Sequence, residues 1–126
     1  MDPNKFIFNF FKDVIEQNKE NLREYFYSNA KILWHETNEK FTVEEYLRAN
    51  CEYPGEWIGE IKRIEKIDNL LIFVGEVKPK NEIDCFYCTS FVKIKDNKIV
   101  SLDEYWTQVS EIPKWRKEKN IGCPIN

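Results

Sequence analysis

The sequence is poor in the residues and motifs that indicate a particular chemistry. It has four glycines and one histidine, and it contains no G-x-S-x-G, glycine-rich phosphate loop, H-E-x-x-H or dinucleotide-binding pattern. These absences exclude the serine hydrolases, nucleotide-phosphate enzymes, zinc proteases and dehydrogenases that depend on such patterns. We expect no cofactor, which leaves an enzyme that works without one or a protein that only binds.

Long hydrophobic runs and strong charge of one sign are also missing. No apolar stretch approaches the roughly 20 residues that cross a bilayer. The apolar segment 6–15 is interrupted by Asn9, Lys12 and Asp13 and lacks the cleavage site of a signal peptide. The net charge is −3, and the one basic stretch, 114–119, is short, whereas nucleic-acid-binding domains carry a basic face. We expect a cytoplasmic protein that binds neither membrane nor nucleic acid.

The four cysteines include one C-x-x-C pair, Cys85 and Cys88. Such a pair raises the possibility of a zinc or redox site. The surrounding segment 83–95 has the pattern of a strand, however, and residues three apart on a strand point to opposite faces. We therefore interpret these cysteines as small buried residues and expect neither a metal nor a disulfide.

The chain does have the size and composition of one folded domain, which we assign to residues 1–126. Aromatic residues make up 15% of the sequence. So many large rings exceed what a core of this size buries, so some are expected to line a cavity or an interface.

Three helices are predicted in the first half of the chain. An Asp-Pro pair at positions 2 and 3 is a typical helix start, and apolar residues recur with helical spacing over 6–15. A short second helix follows Asn18. Thr42–Glu45 is a capping box that opens the third helix.

Strands dominate the remainder, and they define an α+β fold. Asp68-Asn69 and Asp96-Asn97 are two-residue hairpin loops, since both residue types tolerate positive φ. Helices segregated from antiparallel hairpins are typical of the α+β class. The predicted strands cover 30–35, 57–67, 70–78, 83–95 and 98–109.

The strand over 70–78 is apolar on both faces. Leu71 and Phe73 fall on one side, and Ile72 and Val74 fall on the other. A sheet buried on both sides needs a second cover besides its own helices. We therefore predict a homodimer packed through the outer face of the sheet.

This order of elements, with Ala30–His35 after two helices and a last strand ending in Glu104-Tyr105-Trp106, resembles the nuclear transport factor 2-like (NTF2-like) superfamily. The resemblance covers nearly all of residues 6–109 and is greatest to the SnoaL-like branch. It implies a cone-shaped, curved antiparallel sheet wrapped around three N-terminal helices, with a cavity at the open end. The superfamily includes polyketide cyclases, ketosteroid isomerases, dehydratases and non-catalytic binding modules, so the fold does not select the function.

The resemblance argues against steroid isomerisation. In ketosteroid isomerases the catalytic carboxylate lies late on the first strand, where this sequence has Trp34. Those enzymes also use a tyrosine on the first helix, where this sequence has phenylalanines. The polyketide-cyclase mechanism needs an acid or base in the cavity, and the positions available for it are His35, Glu76 and Glu104.

The predicted catalytic residues are His35 and Glu104. With an ordinary pKa of about 6.5, histidine can act as acid and base near neutrality. Glu104 shares an apolar strand face with Trp106 and is predicted to orient His35, in preference to Asp103 on the other face. The alternatives are a hydrogen-bonded structural histidine and a surface or interface acid.

The predicted ligand-binding residues combine large rings with a few polar groups. Glu76 interrupts an apolar strand beside Gly75, where a bulge or bend is expected; it is either a buried acid or a solvent-facing partner of a lysine. Asn50 is a further polar candidate. The ligand-binding set is Trp34, Asn38, Trp57, Glu76, Tyr87, Phe91 and Trp106.

Two functions follow from this set of residues. The first is a cofactor-independent isomerase, cyclase or dehydratase acting on a small apolar or aromatic ring compound. The alternative is a non-catalytic ligand-binding or protein-interaction module of the same fold, for which the basic tail around Trp115 is the candidate contact.

Overall fold

A computed structural model describes residues 1–81 and 83–126. The predicted helices and hairpin strands are present, together with a short strand, β2, and a C-terminal helix, α4, that the sequence did not indicate. The first strand begins at Phe26 rather than Ala30. The elements are α1 (Pro3–Ile15), α2 (Lys19–Glu24), β1 (Phe26–Trp34), β2 (Glu39–Phe41), α3 (Val43–Cys51), β3 (Trp57–Ile67), β4 (Leu70–Pro79), β5 (Phe86–Lys95), β6 (Lys98–Gln108) and α4 (Lys114–Glu118).

The strands form one open, mixed sheet in the order β2-β1-β6-β5-β4-β3. Strands β3 to β6 pair as antiparallel hairpins, and β1 pairs antiparallel with β2. The expectation of an antiparallel sheet is corrected at one place, because β1 lies parallel to β6. The long connection between them, which contains α3 and four strands, allows this parallel pairing.

Local sequence signals set the helix starts and the hairpin turns. The Asp2 side chain accepts hydrogen bonds from the backbone N–H groups of Asn4 and Lys5, which caps α1. Thr42 and Glu45 form the capping box of α3. Positive φ occurs at Asp68, Asp96 and Asn97, as the predicted hairpin loops require.

The core lies between the helices and one face of the sheet. Phe10 of α1 is fully buried, and its ring meets those of Tyr25, Phe26 and Phe73 edge to face, with centroids 5.4, 5.9 and 6.4 Å away. These contacts join α1 to β1 and β4. The buried residues form one continuous apolar cluster.

Two glycines let α1 lie close to the sheet. A Cβ atom at Gly75 of β4 would stand 2.5 Å from Cε1 of Phe11, and one at Gly59 of β3 would stand 2.7 Å from Cδ1 of Ile15. The bulge expected near Gly75 lies on the neighbouring strand, where the β3–β4 register shifts between Ile61 and Arg63. Glycine at these positions therefore serves close approach of the helix.

No helix among the described residues lies on the other face of the sheet. Along β4, buried residues alternate with half-buried ones, and the half-buried set includes Ile72, Val74 and Glu76. Tyr105 of β6 is 45% exposed on the same face. We call this surface the outer face. Within the described residues, no helix has the length and apolar character needed to span a bilayer.

Candidate ligand-binding site

A cavity of about 370 Å³ opens between α1, α3 and the sheet. This volume is at the small end of the range of about 300–1,000 Å³ found for ligand pockets. Its aliphatic lining comes from α1, α3 and β4. Its aromatic lining consists of Trp34, Tyr53, Trp57, Phe86 and Trp106.

The aromatic rings meet at steep angles. Trp34 and Trp106 lie with centroids 6.3 Å apart and planes at 71°, and Trp57 and Phe86 lie 6.2 Å apart at 64°. Tyr53 packs on Trp57 at 5.3 Å. Such pairs form corners, which give the cavity a concave aromatic wall.

Two polar lining residues hold the ends of α1 and α3 together. Gln17 Nε2 donates to the backbone oxygens of Asn50 and Tyr53 at 2.9 and 2.7 Å. Asn50 Nδ2 donates to the backbone oxygen of Val14 at 3.1 Å. Because their amide N–H groups are engaged in this way, these side chains mainly brace the rim of the cavity.

Glu36, in the turn after β1, is the one charged residue on the cavity wall in the part of the chain that the structure describes. Its Oε1 accepts a hydrogen bond from the backbone N–H of Trp106 at 3.2 Å. This bond fixes the carboxylate beside a ring of the cavity wall. The remaining polar wall residue is Thr37.

Glu104 of β6 is buried behind the wall formed by Trp34. Trp34 Nε1 donates to its Oε1 at 3.1 Å, Ser90 Oγ donates to its Oε2 at 2.5 Å, and the Cys88 thiol contributes a weak bond at 3.5 Å. Burial raises the pKa of the Glu104 carboxyl, the hydrogen bonds oppose this, and the nearby charge of Glu36 adds to the rise. The result is a carboxyl group that holds its proton above the ordinary pKa.

His35 lies on the outer face, away from the cavity. Its Nε2 is 2.8 Å from Asp103 Oδ1, and its ring stacks on Tyr105 at 4.3 Å and 7°. The predicted pairing of His35 with Glu104 is therefore wrong, because alternation along β6 turns Glu104 inward and Asp103 outward. The partner of His35 is Asp103, the carboxylate to which Glu104 was preferred on sequence grounds.

Glu76 and Tyr87, which were predicted to bind the ligand, also lie on the outer face and not at the cavity. Tyr87 donates its hydroxyl to Glu76 Oε2 at 3.0 Å, and Lys78 Nζ lies 3.3 Å from Glu76 Oε1. The pKa of Glu76 is lowered mainly by the hydrogen bond from Tyr87, and Lys78 lowers it further. This is the lysine-paired arrangement that the sequence left open as the alternative.

Phe91 and Asn38 lie outside the cavity as well. The Phe91 ring packs edge-on against Tyr105 of the outer face, with centroids 5.9 Å apart. Asn38 is exposed in the turn before β2, with a φ of 54°. Of the predicted ligand-binding set, the cavity brings together the three tryptophans.

Glu36, Tyr53 and Phe86 line the cavity but were not predicted from the sequence. Each of them has a local sequence feature that could have indicated it. Glu36 is adjacent to the histidine that was chosen, Tyr53 lies in the Tyr-Pro-Gly turn after α3, and Phe86 alternates with Tyr87 along β5. The indole Nε1 of Trp106 is buried and has no hydrogen-bond acceptor among the described residues.

Comparison with known proteins places this geometry in a fold family. No protein-family model matches the chain, and no curated protein sequence does. Among solved structures, a candidate ketosteroid isomerase of Kribbella flavida superposes with a TM-score of 0.77 and 18% identity, over 92% of this chain and 85% of that one. An NTF2-like protein of unknown function from Burkholderia xenovorans gives 0.76 and 16%, over 92% and 91%. The protein has the NTF2-like fold.

The NTF2-like likeness extends to the SnoaL-like branch. A candidate SnoaL-like polyketide cyclase of Shewanella putrefaciens superposes with a TM-score of 0.67 and 13% identity, over 81% of this chain and 77% of that one. The predicted α+β fold is thereby confirmed. Sequence identities this low show a shared fold, but they do not show that this protein has the activity of any of these structural neighbours.

Proposed function

We propose that this NTF2-like protein binds a small, flat and mostly apolar ring compound in the cavity between α1, α3 and the sheet. One observation carries the proposal: the cavity of about 370 Å³ has five aromatic residues on its wall. A concave, largely apolar site with a few fixed polar groups is the usual form of a small-molecule site. Several solved NTF2-like neighbours described as small-molecule enzymes support the same conclusion.

Filling the cavity should weaken binding without unfolding the protein. Ala49 of α3 lines the cavity, so Ala49→Phe places a ring where the ligand would lie. We expect the affinity for one- and two-ring aromatic compounds, identified by ligand-observed NMR, to fall about tenfold or more. The matched control is Arg48→Phe, which adds the same ring to the exposed side of the same helix.

Unchanged affinity in Ala49→Phe, or an equal loss in Arg48→Phe, would show that ligands bind elsewhere. The same NMR samples separate binding from catalysis. Spectra of each bound compound followed over hours show whether it is released unchanged, as a binding module requires, or converted, as an enzyme requires.

Cofactor-independent acid–base catalysis is the second candidate function. The observation that favours it is Glu104, a carboxyl group that keeps its proton above the ordinary pKa and lies directly behind Trp34. Such a group is suited to act as a general acid. His35 is not part of this proposal, because it contacts Asp103 on the outer face.

We further propose that two copies pack through their outer faces. This face carries half-buried apolar side chains at Ile72, Val74 and Phe91, and no helix of the described chain covers it. An uncovered apolar sheet face of this kind is typical of an interface between proteins. A location in the cytoplasm stays a prediction from the sequence.

Val74→Glu should dissociate such a dimer. The new carboxylate would be buried at the centre of the interface, so we expect the dissociation constant to rise about 100-fold or more. The monomer should stay folded, because Val74 is half-buried and lies opposite Arg63, which offers a counter-charge. Analytical ultracentrifugation measures the change, with Asn9→Glu at an exposed position of α1 as control. A wild-type protein that stays monomeric at high concentration contradicts the proposal.

A further inference from the structure

The charge of the cavity wall limits the chemistry of its ligand. Among the described residues that line it, one is acidic, Glu36, and none is basic. A ligand carboxylate would therefore meet a like charge with no cation to balance it, which is unfavourable in an apolar site. Glu36 itself is exposed to solvent, so a neutral ligand gains nothing from its carboxylate, whereas a cationic ligand gains an ion pair.

The position of Glu36 leaves its carboxylate available to a ligand. Oε1 accepts the backbone N–H of Trp106. No donor in residues 1–81 or 83–126 reaches Oε2. The carboxylate is thus held against the wall by one oxygen, with the other free to face a bound cation.

The aromatic wall adds a second attraction for positive charge. Trp34 meets Trp106 at 71°, and Trp57 meets Phe86 at 64°, so the rings enclose the cavity as corners rather than as parallel plates. The face of an aromatic ring is electronegative, most of all in tryptophan. Recognition of ammonium groups by several aromatic rings around one cavity is an established use of this property.

A second carboxyl group stands behind the same wall. Burial raises the pKa of Glu104, and the charge of Glu36 raises it further, so the two groups act on each other across the wall. Because Glu104 keeps its proton, the charge that attracts a cation into the cavity is that of Glu36. Within the described part of the chain, no lysine, arginine or histidine lines the cavity to compensate for it.

We infer that the ligand of this cavity is an organic cation, a tertiary or quaternary ammonium group attached to an apolar ring. The inference rests on the proposed ligand-binding function and names the class of compound that the cavity selects. The apolar ring would lie against the pair formed by Trp57 and Phe86, and the ammonium group would lie against Glu36 and Trp106.

A pair of probes that differ only in charge tests the inference. Benzyltrimethylammonium and its uncharged carbon isostere, neopentylbenzene, have nearly the same shape, and phenylacetate supplies the opposite charge. Titrations followed by NMR should show the ammonium compound binding about tenfold tighter than the isostere, since several rings and one carboxylate favour it. Phenylacetate should bind more weakly than either.

Glu36→Gln should lower the affinity for benzyltrimethylammonium about tenfold and leave that for neopentylbenzene unchanged. Glu39→Gln, an exposed glutamate on β2 outside the cavity wall, controls for a general change in charge. Equal or tighter binding of neopentylbenzene, or no effect of Glu36→Gln, would overturn the inference. If neopentylbenzene alone binds and Ala49→Phe blocks it, the binding function stands and the preference for a cation fails; if no probe of any class binds, both fail.

Discussion

Phe10→Ala should lower the free energy of unfolding by about 3–5 kcal/mol. Phe10 is fully buried and touches three other rings, from Tyr25, Phe26 and Phe73. Truncation removes the transfer free energy of the ring and the edge-to-face contacts, and it leaves a cavity between α1 and the sheet that the neighbours only partly fill. Domains of this size are stable by about 5–15 kcal/mol, so the loss is a large fraction of the total.

Urea denaturation measures this effect, and α1 provides its own control. Phe8 lies on the same helix but is 54% exposed, so Phe8→Ala should change the free energy of unfolding by about 0.5 kcal/mol or less. If Phe10→Ala does not fold, Phe10→Leu keeps most of the volume and gives a smaller loss in the same direction. Equal costs for the alanine variants at positions 8 and 10 would show that the buried face of α1 is wrongly assigned.

The elements that the sequence predicts are those whose signals are local. The capping box at Thr42 and Glu45, the helical spacing over 6–15 and the turns at Asp68 and Asp96 each depend on residues a few positions apart. The pairing of β1 with β6 depends on segments separated by most of the chain. No local pattern encodes its parallel direction, so the expectation of an antiparallel sheet was wrong there.

Local sequence patterns were also insufficient at the candidate site, where the question is which of two adjacent residues faces the cavity. His35 and Glu36 are neighbours just after β1, and one of them faces the cavity while the other faces outward. A shift of one position exchanges the two faces, and the sequence does not fix the register beyond the end of a strand. Acid–base chemistry in the cavity was therefore predicted for His35, whereas its neighbour Glu36 is the residue that lines the cavity.

Side-chain size was the better guide to the site than side-chain chemistry. Trp34, Trp57 and Trp106 were expected near a cavity because a small core cannot bury every large ring, and all three line it. Tyr87 and Phe91 were expected there for the same reason, but they lie on the outer face. Glu76 was chosen for its carboxyl group, which bonds to Tyr87 and Lys78 on that face, the common outcome for a polar group on a half-buried strand.

Glu104→Gln should make the protein more stable than the wild type at neutral pH and remove the pH dependence that lies between the ordinary glutamate pKa and the raised pKa of folded Glu104. Burial raises the pKa of Glu104 in the folded state, whereas the unfolded chain releases this proton near the ordinary pKa. The folded state therefore binds more protons than the unfolded state in this window. The stability contributed by Glu104 is complete below the ordinary pKa and is lost as pH rises through the folded pKa, at about 1.4 kcal/mol for each pH unit between the two values.

Glutamine suits the site because its carbonyl can accept from Trp34 while its amide donates to Ser90 Oγ. The free energy of unfolding measured in urea at half-unit steps of pH should fall with rising pH in the wild type and change less in Glu104→Gln. Glu24→Gln, an exposed carboxylate on α2, should follow the wild type. The groups whose pKa values are lowered, among them Glu76, titrate below this window in both proteins, so the difference between the two curves isolates Glu104. Parallel curves for Glu104→Gln and the wild type would mean that Glu104 ionises as an ordinary glutamate, which would also remove the observation that favours acid–base catalysis.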